Sequence, residues 1–378
     1  MKLLFASDSF KGTLSSKEVA ELLAMAANEV FDTPQCTSIQ MADGGEGSID
    51  AIVGGLGGEL MSCRVENPLA QPVDAKYCVV NSSTAYIEMA QASGLTLISQ
   101  QSRNPLVTST YGTGQLIDDA LNRGYKHIFV GIGGSATNDG GMGCMRALGV
   151  KFFDNDCVEL IGQGKDLERV SAIDVSGMTA KAKSAEFTVL CDVDNPLCGK
   201  NGATMVFSKQ KGASPAQMAR LEDGMKNYRN VLLRYFGVDA DQLKGAGAAG
   251  GLGAALMLFL NARMESGVNA IAEITGLDAT LSDVDAVITG EGRIDEQSCH
   301  GKVLSGVGQL CKERQVKAYA IAGSKGPGWE RILDYGINDA FFISDNFTTE
   351  QIFDNPKATF LQTAIEMFQQ LKVKELSL

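Results

Sequence analysis

Six acidic residues stand in loops beside glycine, serine or asparagine: Asp8, Asp43, Asp139, Asp192, Glu291 and Asp295. Lys11, Arg293 and Lys302 lie among them. This inventory suits phosphoryl transfer. Carboxylates hold a hard cation through oxygen, and one carboxylate can take the proton of an attacking hydroxyl. Cations neutralise the migrating group, and glycine amides cradle its oxygens. The longest of these stretches is Gly131-Ile132-Gly133-Gly134-Ser135-Ala136-Thr137-Asn138-Asp139-Gly140-Gly141-Met142-Gly143. An apolar run, His127 to Val130, leads into it as a buried strand, and helical spacing through Met142, Met145 and Leu148 leaves it. A strand, a glycine loop and a helix start make an anion site. The competing reading is a tight turn with Asn138 or Asp139 as the helix N-cap. Taken singly, each of the six acids also fits a turn or a cap.

Other motifs are weaker. Gly245-Ala246-Gly247-Ala248-Ala249-Gly250 spells the dinucleotide fingerprint, but Asp241-Gln242-Leu243-Lys244 before it is no strand. It reads as a flexible loop or a close-packed helix entry. Gly131 to Ala136 fits the looser fingerprint and supports, as an alternative, a nicotinamide-dependent dehydrogenase of small hydroxy acids. Against this, no second strand ending in an acid follows at clean spacing. The Gly-Lys pairs at 199–200 and 301–302 precede Asn201 and Val303, not the hydroxyl that a Walker A loop requires. The two histidines, His127 and His300, do not support a triad, and the nine scattered cysteines contain no CxxC. Scattered thiols fit a reducing compartment.

The elements that position these residues follow a βα rhythm at both ends of the chain. Lys2 to Ala6 reads as a strand. Ser15 and Glu18 form a capping box for a helix whose apolar positions are Val19, Leu22, Leu23, Ala26 and Val30. A second strand, Cys36 to Met41, runs into Ala42-Asp43-Gly44-Gly45. After Gly58, three short strands (59–66, 73–80 and 84–90) predict an antiparallel meander. A strand at 186–191 and a helix from Pro215 to Gly237 follow. From 252 the rhythm returns: helix 252–263, strand 286–289, loop 290–295, helix 302–314, strand 317–322, loop 323–326, strand 340–343 and helix 357–373. The expected fold is α/β: a doubly wound parallel-sheet domain from residues 1–43 and 252–378, with a mixed α/β domain, 44–251, inserted into it. Ligands of such sheets gather at the carboxyl ends of the strands. Glycine-rich joins at 44–47 and 245–251 read as hinges.

Composition narrows the partners. The 378 residues suffice for two domains, and a net charge of −12 argues against nucleic acid or an anionic membrane surface. The longest apolar run, Leu252 to Leu260, is half a membrane span. A cytoplasmic protein acting on a small molecule is expected, with a homo-oligomer left open.

Five stretches carry a resemblance: Asp8 to Ser16, Ala42 to Ser48, Gly133 to Gly141, Cys191 to Leu197 and Gly290 to Asp295. Together and in this order they resemble the bacterial glycerate kinase family, in the two-domain branch that phosphorylates D-glycerate with ATP. The resemblance implies a flavodoxin-like domain with a second α/β domain inserted, a site in the cleft between them, and 2-phosphoglycerate as product. Glycerate 3-kinase specificity is the alternative. Within that reading Lys11 holds a phosphate or the substrate carboxylate, and Asp192 is the base. Asp43, Glu291 and Asp295 carry Mg2+ directly or through water. Arg293 clamps the substrate carboxylate. Ser9, Gly44, Gly45, Gly133, Gly134, Ser135 and Asn138 bind substrate or phosphate.

Overall fold

Leu3, Leu4 and Phe5 are buried, so the first strand, β1 (Lys2–Phe5), belongs at the centre of a sheet. In the computed structural model, β1 pairs in parallel with β2 (Gln35–Ser38) on one side and β11 (Ala286–Ile294) on the other. The sheet continues in parallel through β12 (Lys317–Lys325) to β13 (Asp339–Phe342). Its order is β13-β12-β11-β1-β2. Numbered within this sheet alone, that is the 2-1-3-4-5 arrangement of flavodoxin-like folds. The structure describes all residues except 11, 42–48, 50–52, 54–57, 81, 300–302 and 376–378, and the side chains of 273, 274, 297, 374 and 375.

Both faces of this sheet are covered, as the strand period of two demands. Leu3, Phe5, Ala286 and Ile288 pack against the helices Ser16–Val30 and Pro356–Glu375. Leu4, Val287, Ala318 and Ala320 face the helix Val303–Arg314. The first of these helices opens on the expected capping box of Ser15 and Glu18. One expectation is corrected here. Residues 290–294 and 323–325 are not loops. β11 and β12 stay paired through Glu291 opposite Ala322, Arg293 opposite Ser324 and Ile294 opposite Lys325. Glycine breaks the apolar pattern there without breaking the extended backbone.

A second sheet has the order β10-β9-β6-β5-β4-β3. The strands β3 (Glu59–Glu66), β4 (Pro72–Val79) and β5 (Thr84–Glu88) form the expected antiparallel meander. From β5 the pairing turns parallel, through β6 (His127–Gly131), β9 (Glu186–Leu190) and β10 (Arg263–Glu265). A separate antiparallel pair joins β7 (Lys151–Phe153) to β8 (Ala172–Asp174). The long helix Pro215–Phe236 has its capping box at Ser214 and ends on Gly237, as its proline and glycine predict.

The chain divides into two compact units. One comprises Met1–Asp43, Asp50–Gly57 and Ser266–Leu378, the other Gly44–Ile49 and Gly58–Glu265. Residues 252–265 therefore belong to the second unit rather than to the C-terminal half of the first. The physical reason is burial: Leu252, Ala254, Ala255 and Leu256 of the helix Ala248–Leu260 lie in the core of the second unit, and β10 pairs with β9. The hinge expected at 245–251 is likewise a packed helix entry. Ala249, Gly250 and Gly251 turn into the helix with positive φ. Gly250 accepts the Gly140 N–H at 3.0 Å, and a Cβ there would lie 2.2 Å from the Thr137 carbonyl oxygen. The stretch at 44–47 falls outside the described residues. Among the described residues no helix is long and apolar enough to cross a membrane.

Candidate functional site

In the first unit, parallel register brings the segment after β1 beside the distal half of β11. Asp8 N–H donates to the Gly290 carbonyl at 3.0 Å, and the Asp8 carboxylate accepts the Ser9 N–H at 2.6 Å. Glu291 is buried one residue further along β11, while Arg293, two positions on, shares its face and is exposed. The Arg293 Nε lies 3.4 Å from Asp295 Oδ2. Gly326 makes room for this pair, because a Cβ there would come within 2.9 Å of the Arg293 guanidinium and 2.7 Å of the Asp295 Cβ. Thus Ser9, Glu291, Arg293 and Asp295 gather at the carboxyl edge of the first sheet, with Asp8 beside them. Lys11, Asp43, Gly44 and Gly45 lie outside the described residues, as do His300 and Lys302. A hollow of about 430 Å³ at Met1, Lys2, Gln35 and Asp285 sits at the amino ends of the strands, the wrong end for a ligand of this sheet.

The second unit has a carboxyl edge of its own. Glu88, Gly131, Leu190 and Glu265 form one row across β5, β6, β9 and β10. Beyond that row, Ile132 N–H donates to the Leu190 carbonyl and Cys191 N–H to that of Glu265, at 3.4 and 3.0 Å. The same edge therefore carries half-buried Asp192 and the exposed Gly133 and Gly134. Glu88, buried and accepting the Ile49 N–H at 2.8 Å, is an acid that sequence reasoning missed. Nothing in Tyr-Ile-Glu-Met marks it, since it simply ends an apolar strand.

Along the glycine stretch, accessibility stops at Ser135. Asp139 is fully buried and accepts four hydrogen bonds: from Thr110 N and Oγ1 at 2.8 Å each, from Gly141 N at 3.1 Å and from Gly143 N at 3.3 Å. Burial pushes its carboxyl pKa up, and these donors oppose the shift. The Cys144 N–H is taken by Thr110 Oγ1 at 2.9 Å. The helix Met142–Ala147 has only six residues, and its first amides are satisfied from within. The helix-dipole part of the anion-site expectation is therefore corrected: the N-cap is Gly141, and Asp139, two residues earlier, takes up the Gly141 and Gly143 amides. Asn138 is buried too. Its Nδ2 donates to Thr204 Oγ1 at 3.2 Å, while Asn138 Oδ1 and Thr137 Oγ1 are without a hydrogen-bond partner among the described residues.

Beneath the accessible lip lies a second missed residue. Lys211 is 1% exposed, and its Nζ donates to Ser135 Oγ and to the Thr137 carbonyl, each at 2.7 Å. Desolvation pulls its pKa down to about 7, against the opposing field of Asp139. In Ser-Lys-Gln-Lys-Gly-Ala-Ser the residue looks like one more solvated turn lysine, so no local signal announces it. For a cation, the chemistry available is oxygen only. Among the described residues no three Asp, Glu, His or Cys side chains gather into a metal-holding group.

Known proteins decide what these edges belong to. Residues 3–372 match the glycerate kinase family. The chain belongs to that family. It is 42% identical to the glycerate 2-kinase of Escherichia coli K12 over 350 residues, which covers 92% of each chain. It is 40% identical to a glycerate kinase of Bacillus cereus ATCC 10987, again over 350 residues and 92% of each chain. The crystal structure of a provisionally named glycerate kinase 2 from Salmonella typhimurium LT2 is similar to it with a TM-score of 0.87 at 38% identity, over 100% of this chain and 99% of that one. The α/β fold expected for a glycerate kinase is thus the fold observed. The dehydrogenase alternative finds no support in these relatives or in the topology. The helix after the glycine loop of β6 leads to β7, which pairs antiparallel in another sheet, so the next strand is not the adjacent parallel strand that the dinucleotide fingerprint requires, and β6 meets its parallel neighbour β9 only after that excursion.

Proposed function

We propose that this glycerate kinase transfers the γ-phosphoryl group of ATP to D-glycerate, giving 2-phosphoglycerate and ADP. The observation that carries the reading is its 42% identity, over nine-tenths of both chains, to a protein named glycerate 2-kinase. The geometry supports it, because the parallel sheet of the first unit and the parallel half of the second unit's mixed sheet each present acids and hydrogen-bond donors at a carboxyl edge.

The substrate 2-hydroxyl oxygen forms a bond to the γ-phosphorus as the bond to the ADP oxygen breaks, and Asp192 takes the hydroxyl proton. Gly133, Gly134 and Ser135 hold nucleotide phosphates. Asn138, buried below, supports that loop through Thr204. Arg293 exchanges its Asp295 contact for a bidentate grip on the glycerate carboxylate. Ser9, Lys11, Gly44 and Gly45 complete the substrate and phosphate contacts. Glu291 and Asp295, with Asp43, would hold Mg2+. One or two carboxylates completed by phosphate oxygens and water are the shell this ion prefers. Bound there, it neutralises phosphate charge. The enzyme works in the cytoplasm on small molecules, without nucleic-acid or membrane partners.

Steady ADP release that requires D-glycerate is the expected behaviour. ADP release that is the same with and without D-glycerate would leave a nucleotide-binding protein of another activity.

A further inference from the structure

We propose that Lys211 is a positioning residue whose buried ammonium fixes the Ser135 hydroxyl as a hydrogen-bond donor toward the nucleotide phosphates. The inference rests on the reading that Gly133, Gly134 and Ser135 bind those phosphates.

The argument starts from donor and acceptor counts. An ammonium carries three donors and no acceptor. In its protonated form, which a neighbouring anionic phosphate favours, Lys211 Nζ donates the 2.7 Å bond to Ser135 Oγ, so the serine oxygen accepts and its own proton must point elsewhere. The backbone of Ser135 is held as well. It bridges to Gly94, and the next residue, Ala136, donates its N–H to the Ser93 carbonyl at 2.9 Å. Lys211 pins the stretch a second time through the Thr137 carbonyl at 2.7 Å. Ser135 thus sits where the exposed lip of Gly133 and Gly134 passes into the buried segment 136–140. A hydroxyl so placed turns its proton outward, where an anionic oxygen can accept it.

Electrostatics favours the same role. A cation held out of water behind a glycine lip attracts an anion more strongly than a solvated one would. A residue that only filled this space would be less costly as methionine, because burying an ammonium carries a large desolvation penalty.

The test is a double-mutant cycle on the full chain, with Ser135→Ala, Lys211→Met and the pair. Affinity for MgATP is read by calorimetry, and KM and kcat by ADP release. Lys211→Gln runs in parallel, so that a folding failure of one lysine variant leaves the comparison intact. Each single variant should weaken MgATP binding by about tenfold or more, as for a lost hydrogen bond to a charged group. The pair should be no weaker than either single variant, and KM for D-glycerate should stay near the wild-type value. If Ser135→Ala weakens MgATP and the lysine variants do not, Lys211 has no positioning role while the reading of the loop stands. Additive losses would likewise overturn the link between the two residues. Unchanged MgATP affinity in every variant would remove the loop from nucleotide binding, and the proposal with it.

Discussion

Arg293 lies against Asp295, Nε to Oδ2 at 3.4 Å, on a floor that only glycine at position 326 provides. Both partners are partly exposed, so the pair contributes little to stability, and it is open to exchange for a ligand. Arg293→Lys keeps the charge and loses the planar fork. It should raise KM for D-glycerate about tenfold or more while leaving KM for ATP within about twofold. Gly326→Ala should produce the same asymmetry by displacing the pair. Equal effects on both KM values would take Arg293 away from the substrate carboxylate.

Asp192 lies two residues beyond β9, on the sheet edge that also carries the glycine lip. Asp192→Asn removes a base of the same shape. Turnover should fall by about a hundredfold to ten-thousandfold with an unchanged circular dichroism spectrum. A variant turning over at close to the wild-type rate would exclude Asp192 as the base.

Asp139 accepts four hydrogen bonds in a fully buried position. Asp139→Asn turns an amide against donors and should cost about 2–4 kcal/mol of stability, read by urea unfolding. Folded protein should retain near-normal KM values, because Asp139 is fully buried and its carboxylate is taken up by donors of its own unit. A loss of activity at unchanged stability would move Asp139 from support to chemistry.

Lys211 also makes stability depend on pH. Its pKa falls from the ordinary 10.5 to about 7 on folding. Below about pH 7 both folded and unfolded chains carry the proton, and the desolvation penalty is complete. Between about 7 and 10.5 the unfolded chain binds more protons, so stability rises with pH. The contribution is on the order of 1 kcal/mol per pH unit. Urea unfolding of wild type and Lys211→Met should therefore diverge most in slow alkaline titration, with wild type gaining on the variant as pH rises. Parallel pH profiles would mean that folding does not lower the Lys211 pKa.

Much of this arrangement was legible in the chain. The capping boxes at Ser15 and Ser214 act within three residues, so they announce their helices directly. The run of apolar residues in β1 demands two covered faces, which is how the parallel sheet could be expected. The same logic placed Asp192 just beyond the end of β9, where it lies, but also put Glu291 past a strand end, although it lies within β11. What stayed hidden depends on partners distant in sequence. Asp139 looked like a ligand because its donor Thr110 comes from another helix start. Lys211 looked solvated because its burial is decided by a loop more than seventy positions earlier. Gly290 to Ile294 looked like a loop because pairing with β12, not composition, keeps it extended. The helix Ala248–Leu260 is apolar nearly all round, so its sequence could not say which sheet it joins.

The account's central claim is a phosphoryl transfer to the 2-hydroxyl of D-glycerate. Phosphorus NMR of the product formed from MgATP and D-glycerate tests it most directly. The predicted result is a new resonance matching authentic 2-phosphoglycerate, growing as that of the ATP γ-phosphate falls. A resonance matching 3-phosphoglycerate, or no glycerate-dependent product, would contradict it.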